Sequence, residues 1–151
     1  MITSVRRRAN IENRTKFISD AEITEYLNAG LAYLYDLLVQ AGGQPWYRKS
    51  VQFNTTGNQS LYTFAAIGTP DMYIMQSVDV NLGTNGNAEP IITARPYMEY
   101  ERNRYKFFPG QWLAGTPVFY RMQDAGINFI HTPTGSYSIT LNYYPTFTKL
   151  A

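Results

Sequence analysis

The chain has 151 residues, a formal net charge of +2 at pH 7 and no cysteine. This length suits one domain of ordinary size, which can bury roughly 70% of the surface that its unfolded form exposes. The missing cysteines exclude disulfides, thiolate nucleophiles and the sulfur ligands of most structural zinc sites. The small net charge argues against a protein whose main task is to neutralise a phosphate backbone. No apolar run approaches the roughly 18 residues of a membrane span, so we expect a cytosolic product without a membrane or targeting segment.

Tyrosine is unusually frequent in this sequence. Aromatic residues make up 15% of the chain, and 13 of its residues are tyrosines. Tyrosine combines a rigid apolar ring with a polar tip, which suits half-buried sheet faces and protein interfaces. The composition therefore favours a component of a protein assembly over a metabolic enzyme.

The first predicted element is a short basic helix over residues 4–13. It contains the charge run Arg6, Arg7 and Arg8, and no apolar segment follows that would make it a signal peptide. Such a run is either a solvated terminus or a contact with an acidic partner or with DNA. The residues alone leave these alternatives open.

A long helix is predicted to begin at Asp20. Ser19 and Glu22 have the S-x-x-E spacing of a capping box, in which each residue satisfies a free N–H group of the other. Ile18 and Ile23 flank this box at the positions of a hydrophobic staple. The sequence thus fixes where the helix starts.

The same helix is predicted to end at Gly42 and Gly43, which makes it roughly 33 Å long at 1.5 Å per residue. Its apolar residues recur every three or four positions: Ile23, Leu27, Leu31, Leu34, Leu38 and Ala41. Three tyrosines broaden this stripe: Tyr26, Tyr33 and Tyr35. A stripe of this width implies more than one partner surface.

After the helix, the apolar period changes to two, which indicates strands. Residues 51–55 and 61–64 alternate in this way, and the turn residues 56–59 between them predict a hairpin. Two further strands are predicted at 73–80 and 88–93, the second at a sheet edge because it contains a proline.

The glycine- and asparagine-rich loop 81–87 joins those two strands. It is long for a tight turn, and long exposed loops often carry contacts. Asn81, Asn85 and Asn87 are therefore candidate contact residues.

A second helix is predicted over about 96–107, with Pro96 in its first turn, followed by strands at 118–122, 127–131 and 136–144. The fold class expected is α+β. An N-terminal helical part, 1–45, precedes an antiparallel sheet or sandwich domain, 46–151, that contains the inserted helix, and the two form one compact unit.

Residue clusters with catalytic chemistry are missing from the sequence. The single histidine, His131, has Asp124 and Ser136 nearby, but they flank strands and turns without a nucleophile elbow. Glu99 and Glu101 lie two residues apart, so on a helix they point to different faces. Neither metal-ligand spacing nor a phosphate loop is present. We expect no enzymatic activity, no cofactor and no metal.

An aromatic cluster occupies the C-terminal third: Trp112, Phe119, Tyr120, Tyr137, Tyr143 and Tyr144. Sheet core is the favoured interpretation over an exposed stacking platform for bases.

Two segments resemble a known family. Residues 18–28, ISDAEITEYLN, and 31–39, LAYLYDLLV, follow the Arg-rich stretch VRRRA at 5–9. Near the other end stand GTPVFYR at 115–121 and, further on, PTGSY and LNYYP. Both sets resemble head-to-tail adaptor proteins of tailed bacteriophages, and together they cover most of the chain except roughly 65–95.

The resemblance implies a structural virion protein that forms a dodecameric ring of identical subunits. The ring would bind the portal protein on one side and a tail or nozzle protein on the other. Double-stranded DNA would pass through its lumen without sequence-specific binding. The protein would assemble in the host bacterial cytoplasm and reside at the head–tail junction of the virion. Relatives often continue past the YYP segment into further helices, so partner sites on those helices would be missing here.

The contact residues expected for such a ring lie near both ends of the chain and in the loop 81–87. Candidates for contacts with the portal or a neighbouring subunit are Arg6, Arg7, Arg8, Phe147 and Leu150. Candidates for the tail side are Asn81, Asn85 and Asn87. The apolar C-terminal residues either fold back on the chain's own sheet or fit a groove on a partner, and we favour a groove on the portal. The alternative function is a carbohydrate- or receptor-binding β module of a phage particle, which would not need the long capped helix.

Overall fold

The computed structural model describes residues 1–12, 18–42, 47–83, 91–98 and 115–150. Two helices and seven strands lie in these ranges. The helices are α1 (Ile2–Arg8) and α2 (Asp20–Gln40), and the strands are β1 (Lys49–Asn54), β2 (Leu61–Thr63), β3 (Met72–Asn81), β4 (Ile91–Pro96), β5 (Phe119–Gln123), β6 (Gly126–Ile130) and β7 (Ser138–Pro145). The expected α+β class is confirmed.

The chain divides into two compact units. The helical unit comprises Met1–Pro45 together with Thr146–Ala151, and the sheet unit comprises Trp46–Pro145. The last six residues therefore group with the helices, although the strand that precedes them belongs to the sheet.

Helix α2 begins where the capping box predicts. The Ser19 hydroxyl accepts a hydrogen bond from the Glu22 N–H at 3.2 Å, and the Glu22 carboxylate accepts one from the Ser19 N–H at 2.7 Å. At the other end, Gly42 has φ +100 and donates its N–H to the carbonyl of Val39. A positive φ is easy for glycine and stops helical propagation.

Helix α1 is shorter than predicted. It ends at Arg8 instead of Asn13, and Asn10 has φ +55. Asparagine tolerates this left-handed conformation, which ends a helix.

The strands form one sheet in the order β1-β7-β3-β4-β5-β6-β2. The β4–β5 pair is parallel, and every other pair among the described strands is antiparallel. A single mixed sheet thus takes the place of the expected antiparallel sheet or sandwich.

This sheet curls so that its two edge strands approach each other. The rings of Phe53 in β1 and Tyr62 in β2 lie 5.4 Å apart, and the Tyr62 hydroxyl accepts the Thr56 N–H at 2.8 Å. The predicted hairpin between these strands is wrong, because β1 pairs with β7 and β2 pairs with β6. Alternation shows which side chains face inward, but it does not choose the partner strand.

The core fills the inside of the curled sheet. Alternate residues of β3 and β7 supply it, and Val78, Val80, Ile139 and Leu141 have no exposed surface. The other buried members are Tyr143 of β7 and residues of β2, β4, β5, β6 and one loop: Tyr62, Ile67, Ala94, Tyr120, Ile127 and Phe129. Among the cluster predicted as core, Phe119, Tyr120, Tyr143 and Tyr144 are buried and Tyr137 packs against the core, whereas Trp112 lies outside the described residues.

The predicted second helix does not start at Pro96. That residue ends strand β4, and the next N–H, of Tyr97, donates to the carbonyl of Tyr120 at 2.7 Å. Proline fits here because the N–H groups of its neighbours, Arg95 and Tyr97, make the hydrogen bonds to Val118 and Tyr120. Residues 99–107 lie outside the described residues. The strand expected at 88–93 is observed at Ile91–Pro96, and the other four C-terminal and central strands lie within two residues of their predicted bounds.

Candidate interaction surfaces

Arg6 is an internal contact of the helical unit. Only 6% of its surface is exposed. Its Nε and Nη2 donate to Asp20 Oδ1 at 2.9 and 2.6 Å, and Nη2 also donates to the carbonyl of Ile18 at 2.7 Å. The side chain thus ties α1 to the first turn of α2. Its Nη1 is buried without a hydrogen-bond partner.

Arg7 and Arg8 are available at the surface. Arg7 makes an exposed ion pair with Glu12 at 3.1 Å. Arg8 is exposed and has no ion pair within the described part of the chain. Both lie in the last turn of α1, where a positive charge interacts favourably with the helix dipole. Of the three arginines, these two can reach a partner.

The C-terminal segment lies along α2. Asn28 receives the N–H of Leu150 at 2.7 Å and donates its own amide to the Leu150 carbonyl at 3.3 Å. The rings of Tyr35 and Phe147 are 6.1 Å apart. Phe147 and Leu150 are therefore half-buried against their own helix instead of extending into water.

The asparagine loop is described only at its beginning. Asn81 closes strand β3, and its side-chain oxygen accepts the N–H of Gly83 at 2.8 Å. This bond shapes the loop start as an Asx turn. Asn85 and Asn87 lie outside the described residues.

Helix α2 carries an exposed apolar stripe. Tyr26, Tyr33, Leu34 and Leu37 are 72%, 67%, 50% and 45% exposed. With Gly30 between them, they follow one another at three- and four-residue spacing, so they share one side of the helix. At 100° per residue, this side lies roughly opposite Asn28 and the face that holds the C-terminal segment. Large apolar side chains grouped in this way on a surface mark an interaction site.

The sequence predicts the broad apolar stripe of α2, but it does not predict which part of that stripe is exposed. Leu34 belongs to the predicted apolar stripe, and half of its surface is exposed. Tyrosine spacing indicated more than one partner surface, and the position of the exposed side follows only from the structure.

The outward face of the sheet bears a hydrogen-bonded polar row. Asn142 accepts from Ser50 at 2.6 Å and donates to Ser77 at 2.9 Å and Asp79 at 2.8 Å, while Thr93 donates to Asp79 at 2.9 Å. These groups satisfy one another across four neighbouring strands, so they stabilise the sheet.

The sheet unit contains an exposed ion pair between Lys49 and Asp71. Lys49 Nζ lies 2.7 Å from Asp71 Oδ2, and the Tyr143 hydroxyl donates to Asp71 Oδ1 at 3.0 Å. The hydrogen bond from Lys49 lowers the pKa of Asp71. Burial raises the pKa of Tyr143, and its hydrogen bond to Asp71 acts in the same direction.

Residues considered for catalysis are not brought together. His131, Asp124 and Ser136 are all exposed, and no hydrogen bond joins the histidine to either of the others. His131 has φ +65 and marks a turn after β6. Within the described ranges, no group of three or more His, Asp or Glu residues is placed to hold a metal. No helix of the described chain is both long and apolar enough to cross a membrane.

The C-terminal motif consists of packing residues. A Cβ on Gly126 would lie 2.6 Å from the Tyr62 carbonyl oxygen, and one on Gly115 would lie 2.1 Å from the Thr134 hydroxyl. Pro117 and Pro133 are fully buried. These glycines allow close approach between chain segments, so the motif contributes to the packing of the sheet unit.

Comparison with known proteins agrees with the resemblance seen in the sequence. The profile of the SU10 adaptor protein family matches residues 1–151. No curated protein matches the chain. The match extends over the full length, from the Arg-rich stretch through the capped helix to the tyrosine-rich strand, and it confirms the resemblance to phage head-to-tail adaptors. The chain belongs to the SU10 adaptor protein family.

Proposed function

We propose that this phage adaptor is a ring-forming structural subunit, without enzymatic activity, that joins the portal to a tail or nozzle protein and surrounds the exiting DNA. Its family makes it a virion component that associates with other virion proteins. The ring is dodecameric in this proposal, and it lies at the head–tail junction after assembly in the host cytoplasm. DNA passes through the lumen without base-specific contacts, in keeping with the net charge of +2.

The observation that carries the proposal is the exposed stripe of α2. In a ring, each subunit presents two different surfaces to its neighbours, because the interface is heterologous. Tyr26, Tyr33 and Leu37 offer one such surface, since aromatic side chains are enriched in interface cores.

Charged side chains provide a second pair of complementary surfaces, one acidic and one basic. Glu25 and Asp36 border the stripe on one side, roughly 80–100° around the helix from Tyr26. Arg7 and Arg8 stand exposed on α1. A neighbour that presents its arginines to this acidic border would bury the apolar stripe between them, which steers association and fixes its register.

Variants of the stripe test this proposal. Replacing Tyr33 and Leu37 together with serine should reduce incorporation into particles at least tenfold, because interface cores dominate binding. The matched control is Met122→Ser in β5, which is 50% exposed and lies in the sheet unit. Normal incorporation of the α2 variant, or an equal loss in the control, would contradict the assignment of this surface.

The exposed arginines provide a second test. Replacing Arg7 and Arg8 with alanine should leave the circular dichroism spectrum unchanged and weaken assembly more at low than at high salt, because salt screens exposed charges. A defect confined to retention of packaged DNA would instead assign the arginines to the lumen.

A further inference from the structure

We propose that the Asn28–Tyr35 face of α2 is a docking site for an extended peptide, and that the C-terminal segment of a neighbouring copy can occupy it in place of the chain's own. The proposal rests on the proposed function, because exchange requires identical chains held side by side. It names a surface different from the exposed stripe, on the other side of the same helix.

The chemistry of the site starts with Asn28. Its carboxamide accepts the N–H and donates to the carbonyl of one residue, Leu150, at 2.7 and 3.3 Å. A carboxamide that bonds both groups of one residue acts like the edge of a strand. Asn28 thus binds extended backbone and does not select a particular side chain on the peptide.

Tyr35 supplies the apolar part of the site. It lies seven residues after Asn28, two helical turns along the same face. The Phe147 ring packs against it at a tilt of 44° and a centroid distance of 6.1 Å. Phe147 and Leu150 are half-buried while Thr146, Thr148 and Lys149 are exposed, so the segment has an inner and an outer side. The occupant is therefore a short peptide with apolar residues three positions apart.

The contact is one that can open. Within the described residues, the segment has no helix or strand of its own, its two apolar side chains are only half-buried and the residues between them are exposed. Chain ends of this kind open well before the domain unfolds. Opening leaves two apolar side chains on the segment and a matching face on α2.

The identity of the occupant follows from this matching. A second copy carries the same segment, and exchange of an identical element between subunits repeats every contact without creating a new one. The segment is tethered at Pro145, the end of β7. Six extended residues reach at most about 20 Å, so only an adjacent copy can provide the segment.

Cysteine cross-linking in the full-length chain tests the exchange, since the chain has no cysteine of its own. Two single variants, Tyr35→Cys and Phe147→Cys, are mixed in equal amounts, treated at increasing concentration with a flexible bismaleimide and separated on denaturing gels; a flexible reagent is used because the two side chains meet through their rings, whereas a direct disulfide needs Cβ atoms about 4 Å apart. A cross-link between the two variants can form only between chains. We expect its yield to rise with concentration and to exceed at least tenfold that of a control mixture of Met122→Cys with Phe147→Cys, because Met122 is exposed on β5 and belongs to neither surface of α2.

Three further measurements complete the test. The double variant Tyr35→Cys/Phe147→Cys should close within one chain in dilute solution. Adding Asn28→Ala to the Tyr35→Cys variant should lower the interchain yield, and the pair Asn28→Cys and Leu150→Cys should repeat the result at the other contact. An interchain yield equal to the control at every concentration, with efficient closure within the chain, would show that the segment is strictly internal. If the double variant forms no link within one chain, the docking site itself is contradicted.

The test separates this proposal from the proposed function. It uses purified protein and needs no phage particle. A chain that exchanges its segment but never enters particles would leave the docking site in place and contradict the adaptor function. A chain that enters particles without exchange would support the adaptor function and contradict the exchange of the segment.

Discussion

Replacing Arg6 with alanine should destabilise the helical unit, although arginines in a basic N-terminal run are usually solvated. The substitution removes two hydrogen bonds to Asp20 and one to the carbonyl of Ile18. It also removes the buried stem of a side chain that is 7% exposed. The effect therefore combines lost charge-assisted bonds with lost packing.

The size of this destabilisation depends on how far water can replace each hydrogen-bond partner of Arg6. Hydrogen bonds to charged groups contribute about 1.5–3 kcal/mol each when they are shielded. The Asp20 side chain is 66% exposed, so water compensates for much of its share. The buried Nη1 without a partner lowers the net gain further. We expect Arg6→Ala to lower the free energy of unfolding by about 2 kcal/mol in total.

Urea unfolding followed by circular dichroism at 222 nm measures this change, because both helices belong to the helical unit. The matched control is Arg8→Ala, an exposed arginine two residues away, which should change stability by less than about 0.5 kcal/mol. A double-mutant cycle with Asp20→Ala should show a coupling of about 1 kcal/mol. Equal effects of Arg6→Ala and Arg8→Ala, or additive effects in the cycle, would refute the role of Arg6 as an internal tie.

Three other variants test the sheet and the stripe. Because its lysine partner lowers the pKa of Asp71, that contact stabilises the fold above the unfolded pKa near 4 and is lost as the pH falls through the folded value. Asp71→Asn should thus lower the melting temperature at pH 7 and matter progressively less as the pH falls through the folded pKa of Asp71, and a deficit that stays constant toward acid pH would contradict this. Gly126→Ala should cost about 1–3 kcal/mol because its Cβ would meet a backbone oxygen at 2.6 Å, while Gly135→Ala, which meets nothing within 4 Å, should cost little in the same thermal unfolding assay. Gly30→Ala should stabilise α2 by about 0.5–1 kcal/mol yet reduce assembly, because the glycine lies within the exposed stripe; unchanged assembly would show that no neighbour approaches closely there.

Local interactions explain which parts of the fold could be predicted. The start of α2 is set by hydrogen bonds between Ser19 and Glu22, three residues apart, and its end is set by the backbone freedom of Gly42. The strands were found because alternation reflects which side chains face the core. Each of these signals lies within a few residues of sequence.

Long-range pairing explains most of the differences. The partner of β1 is β7, about 90 residues away in the register Val51 with Leu141. Nothing within β1 distinguishes that partner from the nearby β2. Pro96 is compatible with the first turn of a helix and with the end of a strand, and its parallel pairing with Tyr120 decides between them.

The candidate surfaces were predicted less completely than the fold. Composition pointed to protein interfaces, and the arginine run was a candidate contact. The separation of Arg6 from Arg7 and Arg8 required knowledge of where Asp20 lies. The contact of Leu150 with Asn28 joins residues 122 positions apart, and an asparagine within a helix gives no sign in the sequence that it will bind a chain end.

The most direct test of the adaptor proposal is cryo-electron microscopy of particles that carry this chain with a compact tag at the exposed N-terminal residue Met1. The proposal predicts tag density around the neck, in a closed ring of identical subunits between the portal and the tail, with DNA density along the axis. Tag density at a tail tip or on fibres would contradict it and favour the carbohydrate- or receptor-binding alternative.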